Sequence, residues 1–407
     1  MVKCAIIAAF DGAGLCPVFR VPAARRLALV AARAGLDTAC VIGRDDALRP
    51  ALRNIVVQDA FLTVADEGDL RRAVAGLGLD DGDQVLVMAA GSVIDAWSLK
   101  RLIAAGEGGC DLYIAGDAKE APPSVCLVTG RSLYDVLRAF LARDGKLPTG
   151  IAFEGVPVAA GLPVVLAGGT DAKKDVKDAE RLLVGALGAA TARTDSFLSR
   201  HIHRPLSRPI SSRLAKTAAT PNMFTLFHIA VGMAGAFFLL KGTYASQVAG
   251  GLLFLASTIL DGVDGELARL KLQESAFGHY LDIVGDNVVH VAVFLGITVG
   301  LYHQSHNPVY LGALALLLVG FGLCALSVQF FMGHGPGEQA SGQTHWLASL
   351  VVNRDFAYLV AFLALINRLS WFVFGTTVGA YLFALVLFIL GRKRRSRGKA
   401  ALAPDGT

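Results

Sequence analysis

Four aspartates sit at helical spacing between two of the most apolar stretches of the chain. Asp261 and Asp264 are three residues apart, and Asp282 and Asp286 are four apart. On helices, each pair would share one face. The first pair stands in Asp261-Gly262-Val263-Asp264-Gly265-Glu266-Leu267-Ala268-Arg269. The second stands in Gly278-His279-Tyr280-Leu281-Asp282-Ile283-Val284-Gly285-Asp286, after a gap of eight residues. An aspartate in a membrane span costs roughly 2.5–3.5 kcal/mol on insertion scales, so four in adjacent spans need a compensating partner. A hard divalent cation, which takes oxygen ligands, is the partner that fits. Helix caps with an inert ionic cluster would explain neither the arginine nor the small residues at fixed intervals. A transporter's cation or proton path would spread its acids through the bilayer, whereas these lie toward one end of both segments.

The elements that must position these acids follow from composition. The chain has 407 residues, 54% hydrophobic and 17% charged, with a formal net charge of +5. That length allows two or three domains. The apolar excess is uneven: residues 1–195 have the scattered charges of a soluble domain, while residues 222–391 hold the long apolar runs. Basic residues concentrate beside those runs, which favours anionic lipid surfaces over nucleic acid. The six cysteines form no C-x-x-C pair and read as reduced thiols of a cytoplasmic domain. Met1-Val2-Lys3 leads into a first strand and loop rather than a signal peptide.

In residues 1–195, short apolar runs at 2–9, 38–42, 84–89, 111–115, 125–128 and 163–167 alternate with helix-like stretches at 23–34, 69–77 and 132–143. Such alternation predicts an α/β sandwich of Rossmann type with a largely parallel sheet. Residues 196–221 place an arginine every four or five positions among Phe197, Leu198, Ile202, Leu206 and Ile210. This is the pattern of an amphipathic juxtamembrane helix, broken by prolines. His201 and His203 lie two apart and would not share a helix face. Arg200, Arg204 and Arg208 are candidate phosphate contacts.

Six apolar segments follow, at 223–240, 244–268, 276–302, 308–332, 355–374 and 376–391. All but the last are near or beyond the ~20 residues a spanning helix needs. Six spans put both ends on one side, together with Arg269, Lys271, Arg354 and Arg392-Lys393-Arg394-Arg395, while Lys241 and Arg368 are left for the other. The positive-inside rule then places the soluble domain, the aspartates and the basic tail, 392–407, in the cytoplasm. The glycine-rich stretch 333–345 reads as a loop able to cover the site.

The aspartate stretch resembles the CDP-alcohol phosphotransferase (CDP-alcohol phosphatidyltransferase) pattern, D-x-x-D-G-x-x-A-R, eight residues, G-x-x-x-D-x-x-x-D. Asp261, Asp264, Gly265, Ala268, Arg269, Gly278, Asp282 and Asp286 match it at all eight positions. The resemblance implies an all-α membrane domain of six helices. In it, a phosphoryl-alcohol group passes from a CDP-alcohol to an acceptor hydroxyl and CMP is released, in phospholipid or polyol-phosphate biosynthesis. The donor it implies is CDP-diacylglycerol or a CDP-polyol. It implies two Mg2+ (or Mn2+) ions held by Asp261, Asp264 and Asp282, with Asp286 shared and acting as general base. CDP contacts would come from Asp264, Gly265, Ala268, Arg269 and Gly278. A homodimer in the cell inner membrane, in contact with lipid and not with nucleic acid, is the expected setting.

The opening Ile7-Ala8-Ala9-Phe10-Asp11-Gly12-Ala13-Gly14-Leu15 resembles a worn sugar-phosphate nucleotidyltransferase start, A-A-G-x-G-x-R-L, with Phe10 for a glycine and Gly14 for the arginine. Ala23 stands where a lysine is expected and Gly91 where a metal-binding aspartate is expected. Asp171 remains in the late element Thr170-Asp171-Ala172-Lys173-Lys174-Asp175. This implies a degenerate domain kept for folding, substrate presentation or dimer contacts. The alternative is a bifunctional enzyme whose cytidylyltransferase makes its own donor. The two-domain layout is similar to that of di-myo-inositol phosphate phosphate synthases.

Overall fold

The computed structural model describes residues 2–10, 12–36, 39–43, 52, 60–106, 112–115, 125–142, 153–156, 164–165, 172–191, 199–332 and 356–401. Its contacts divide into two units. The first comprises Met1–Asp195 with Arg208–Ala219 and Glu266–Gln273, and the second Ser196–Ser207, Thr220–Gly265 and Glu274–Thr407.

The first unit is built on a seven-stranded sheet. In chain order its strands are β1 (Val2–Ala9), β4 (Ala39–Gly43), β5 (Ala60–Thr63), β6 (Gln84–Ala89), β8 (Leu112–Ala115), β9 (Val125–Thr129) and β10 (Phe153–Val156). The spatial order is β10-β8-β9-β6-β1-β4-β5, and β9 alone runs antiparallel to its two neighbours. Two small antiparallel pairs, β2 (Pro17–Val18) with β3 (Val21–Pro22) and β7 (Ser92–Val93) with β11 (Val164–Val165), lie outside the sheet. Alternation along β1 sends Ala5, Ile7 and Ala9 into one core and Ile6 and Ala8 into another. The first core is roofed by α1 (Ala23–Arg33) and α3 (Ala96–Ala105), the second by α2 (Glu67–Gly76) and α4 (Gly130–Ala142). Burial on both faces explains why the central strands read as unbroken apolar runs. The expected α/β alternation is therefore present. β5 and β10 were not among the expected runs; they are the two edge strands, four residues each, with too little pattern to stand out.

A third core in this unit gathers Val18, Phe19, Leu182, Leu183, Leu187, Ala215, Leu267 and Leu270. It joins α5 (Ala172–Thr191) to the end of α6 (Arg204–Ala215) and the last turns of α8 (Tyr244–Lys271). Arg26 is buried here and donates through Nη2 to the carbonyls of Val18 and Leu270 at 3.0 and 2.7 Å. Leu270 lies in the last turn of α8, where carbonyls lack helical partners, so a guanidinium is a suitable cap. Burial pulls the Arg26 guanidinium down to about 10, which leaves it charged at neutral pH. Nearby, Lys271 donates to the carbonyls of Thr217 and Ala219, and Ser211 donates to the buried Glu266 carboxylate. The basic segment forms a π-helical turn, Ser199–His203, and then α6. Pro205 falls in the first turn of α6, where no backbone donor is needed, and the helix continues through Pro209, so the expected proline break does not occur.

Cys4, Cys16, Cys40 and Cys126 carry thiols, and burial pushes those of Cys40 and Cys126 up to about 12. Cys110, the loop 333–345, Asp11 and Asp171 lie outside the described residues.

The second unit is helical: α7 (Pro221–Leu240), most of α8, α9 (Ala276–Ser305), α10 (Val309–Met332), α11 (Phe356–Leu365) and α12 (Leu369–Ala401). Among the described residues, four helices are long and apolar enough to cross a membrane: α7, α8, α9 and the Leu369–Val386 part of α12. Shorter apolar pieces are Val309–Leu323 and Phe356–Leu365. The last break falls at Asn367, in the left-handed region at φ 55°, and α12 runs straight through Gly375. The expected break at Gly375 is thus moved eight residues upstream: Asn tolerates that conformation, while a glycine inside a long helix costs only about 1 kcal/mol. Phe254, Phe294, Phe356 and Phe372 pack in the centre. Met223, Phe227, Phe237 and Leu382 face outward, as lipid-facing positions do.

Candidate functional site

Both aspartate pairs are on helices, Asp261 and Asp264 on α8 and Asp282 and Asp286 on α9. The turn between them is set by Leu272 at φ 56° and by Ser275, whose hydroxyl caps α9 by accepting from the Gly278 amide at 3.0 Å. Glycine lets α9 approach α7. A Cβ on Gly278 would stand 2.8 Å from Asn222 Oδ1, and one on Gly285 would stand 2.8 Å from Ile229 Cγ1. Opposite, Gly232 on α7 leaves room for Val289, whose Cγ1 would be 2.6 Å from an added Cβ. These small residues bring three helices close enough for their polar side chains to meet.

One carboxylate oxygen each from Asp261, Asp282 and Asp286 and a ring nitrogen of His228 all lie within 4.8 Å of one another. His228 comes from α7, and its side chain is 1% exposed. Its Nε2 is 3.9 Å from Asp261 Oδ1, 3.6 Å from Asp264 Oδ2 and 3.9 Å from Asp282 Oδ1. Nε2 makes no hydrogen bond, and neither does the buried Asp282 Oδ1. Asp264 stands beside this group. Its Oδ2 accepts from the Thr225 hydroxyl and its Oδ1 from the Gly265 amide.

The other expected residues are distributed as follows. Ala268 and Arg269 are half-buried, both about one turn beyond Gly265. Arg204 reaches the carboxylate helix: an added Cβ on Gly262 would lie 3.6 Å from Arg204 Nη1. Arg208 belongs to the first unit, where its guanidinium covers Gly188 of α5. Arg200 is exposed on the π-helical turn. The His203 ring stacks on Tyr358 with 5.5 Å between centroids.

Thr225, His228 and Glu266 were missed. The signal for the first two was present: a threonine and a histidine three apart in an otherwise apolar span share a face, and ionisable groups in spans mark functional interiors. Glu266 was legible as a fifth acid within the motif, but its buried bond from Ser211 depends on tertiary packing.

In the first unit, strand order reverses between β1 and β6, where open α/β sheets bind ligands beyond their strand ends. Near it, Gly14 packs closely. A Cβ on Gly14 would meet Ala90 Cβ at 2.9 Å and Ala24 Cβ at 3.3 Å. Asp95, the nearest acid after β7, spends Oδ1 on the Trp97 and Ser98 amides and Oδ2 on the Ser98 hydroxyl.

Residues 218–392 match the family model described as CDP-alcohol phosphatidyltransferase. The chain is 33% identical over 163 residues to the bifunctional IPC transferase and DIPP synthase of Thermococcus kodakarensis, which is 40% of this chain and 35% of that protein. To the protein of the same name from Archaeoglobus fulgidus it is 32% identical over 217 residues, covering 52% of this chain and 41% of the relative. Inner membrane protein YnjF of Escherichia coli is 33% identical over 129 residues, 31% of this chain and 60% of that one. The chain thus spans well under half the length of the first two relatives.

Proposed function

We propose, from the family match of residues 218–392 and the residues grouped within it, that the protein is an integral-membrane CDP-alcohol phosphotransferase. It moves a phosphoryl-alcohol group from a CDP-alcohol to an acceptor hydroxyl and releases CMP. The observation that carries this reading is the meeting of His228, Asp261, Asp282 and Asp286 within 4.8 Å in an apolar bundle.

The donor set fits a divalent cation: three carboxylates and an imidazole, with His228 Nε2 and Asp282 Oδ1 buried and without hydrogen bonds. Mg2+ or Mn2+ bound there would neutralise a diphosphate and stabilise the attacking and leaving oxygens. Asp264 keeps lone pairs beyond the two hydrogen bonds it accepts, so it remains a proposed ligand for a second ion. Arg204, beside Gly262, and Arg269 would bind phosphate oxygens. Gly265, Ala268 and Gly278 leave space for the cytidine. Asp286, one turn beyond Asp282, would accept the proton of the acceptor hydroxyl.

The wider reading has six spans, adding α10 and α11 to the four long helices, with residues 1–195, the site and the tail from 392 on the cytoplasmic side of the inner membrane. The protein would work as a homodimer among lipids, and residues 196–221 would lie at the membrane surface. Residues 1–195 would be a nucleotidyltransferase-like domain without transfer activity. The packing of Gly14 against Ala90 supports that, although the names of the curated relatives leave a second activity to be tested. The donor is CDP-diacylglycerol or a CDP-polyol. The test is metal-dependent CMP release by membranes containing the full chain, supplied with each donor class and a panel of polyols and polyol phosphates, with mass spectrometry of the product. Absence of CMP release with every donor, at saturating Mg2+ and Mn2+, would overturn the reading.

A further inference from the structure

We infer that His228 is a nitrogen ligand of the cation site and that it biases the site toward Mn2+ and chemically similar first-row ions over Mg2+; this rests on the metal-site reading above. Three observations meet on this side chain. It is almost completely buried in an apolar helix, where an unsatisfied imidazole nitrogen has a cost that a partner must offset. Its Nε2 makes no hydrogen bond. Its distances to oxygens of three different aspartates, 3.6, 3.9 and 3.9 Å, are each too long for a hydrogen bond. They fall between the separations of adjacent and opposed ligands of one ion, about 3 Å and about 4.2 Å with bonds of about 2.1 Å, so small shifts would bring the set onto a cation.

The sequence spacing reinforces this. Thr225 and His228 are i and i+3 on α7, and both point at the α8 acids. Thr225 takes Asp264, and His228 faces the oxygens beside it. Thr225 thus orients one carboxylate while His228 supplies a donor of a different kind. A site of oxygen ligands alone suits Mg2+ and Mn2+ alike, whereas an imidazole adds affinity for first-row transition ions, least for Mn2+ and rising along the series, and adds little for Mg2+, which takes oxygen.

The test uses the full-length, tag-free protein in detergent, with Mn2+ as the probe. Pulsed electron paramagnetic resonance of bound Mn2+ should show nitrogen coupling that changes when histidine is labelled with 15N in the wild-type chain, a readout needing neither turnover nor a variant. In H228Q, which keeps an oxygen donor, the coupling should vanish and the Mg2+ concentration needed to displace half the Mn2+ should fall. Saturable Mn2+ binding without nitrogen coupling in the wild type would overturn the role of His228 and leave the carboxylate site standing. Unchanged Mg2+ competition in H228Q would overturn the selectivity. Absence of saturable Mn2+ binding would overturn the metal-site reading and this inference with it.

Discussion

The carboxylate site on α8 and α9 and the crevice end of the sheet between β1 and β6 are built by the same device and end differently. In both, glycines let backbone and side chains approach to distances a Cβ would forbid, at Gly278 and Gly285 in one and at Gly14 in the other. Around the carboxylates, the close approach leaves buried polar atoms facing each other without hydrogen bonds, at His228 Nε2 and Asp282 Oδ1. At the sheet, it packs Gly14 against Ala24 and Ala90, and the nearby Asp95 serves as a helix cap. A glycine-rich turn is therefore weak evidence for a ligand, whereas unsatisfied buried donors and acceptors at one point are strong evidence.

The largest effect should come from removing a charge from the carboxylate cluster. Asp261→Asn or Asp282→Asn should lower CMP release by at least ~10³-fold, because stabilisation of developing phosphate charge is commonly the dominant catalytic term. The variants should still elute as folded protein in detergent, since the spans stay apolar and helical. Near-normal activity of either at saturating metal would remove the contrast between the two regions.

Asp286 and Asp264 sharpen the picture within the site. Asp286→Asn should cost on the order of 10²–10⁴ in rate while donor binding persists, as loss of a general base does. Asp264→Asn should weaken donor binding instead, and it leaves one acceptor oxygen for the Thr225 hydroxyl and the Gly265 amide. Titration of a non-reacting CDP-alcohol analogue separates the two. Equal loss of affinity in both would mean one undivided cluster with no distinct base.

Much of this site was legible in the sequence because its chemistry is periodic. Three- and four-residue spacing fixed the faces, and the apolar flanks fixed the helices. His228 was not read because it is one polar residue on a neighbouring span, and only the approach of α7 to α9 gives it meaning. The sheet was legible at its doubly buried centre and invisible at β5 and β10, four-residue edges whose position depends on pairing. The last helix break was misplaced because Gly375 looks like punctuation, whereas left-handed Asn367 provides it.

A third test addresses how the first unit is held together. Arg26→Met removes the guanidinium shared by the carbonyls of Val18 and Leu270 and leaves both buried with one partner fewer. The expected loss is about 1–3 kcal/mol, read as an earlier denaturation midpoint of that unit by limited proteolysis in urea. An unchanged midpoint would show that the buried charge costs as much as its hydrogen bonds return.

The smallest expected effect is no effect at all, and it bears directly on the crevice. The full chain, incubated with CTP, Mg2+ and a series of polyol phosphates, should release no pyrophosphate above background. Nucleotidyl transfer needs a cation and basic groups around the triphosphate, and the positions where the nucleotidyltransferase resemblance would put them carry Gly14, Ala23 and Gly91. Nor can the turn recover by substitution. Gly14→Arg would drive a Cβ to within 2.9 Å of Ala90, so the variant should fold less well without gaining activity. CTP-dependent, polyol-phosphate-dependent pyrophosphate release by the wild-type chain would reverse this. It would mean that side chains outside the turn supply the phosphate contacts.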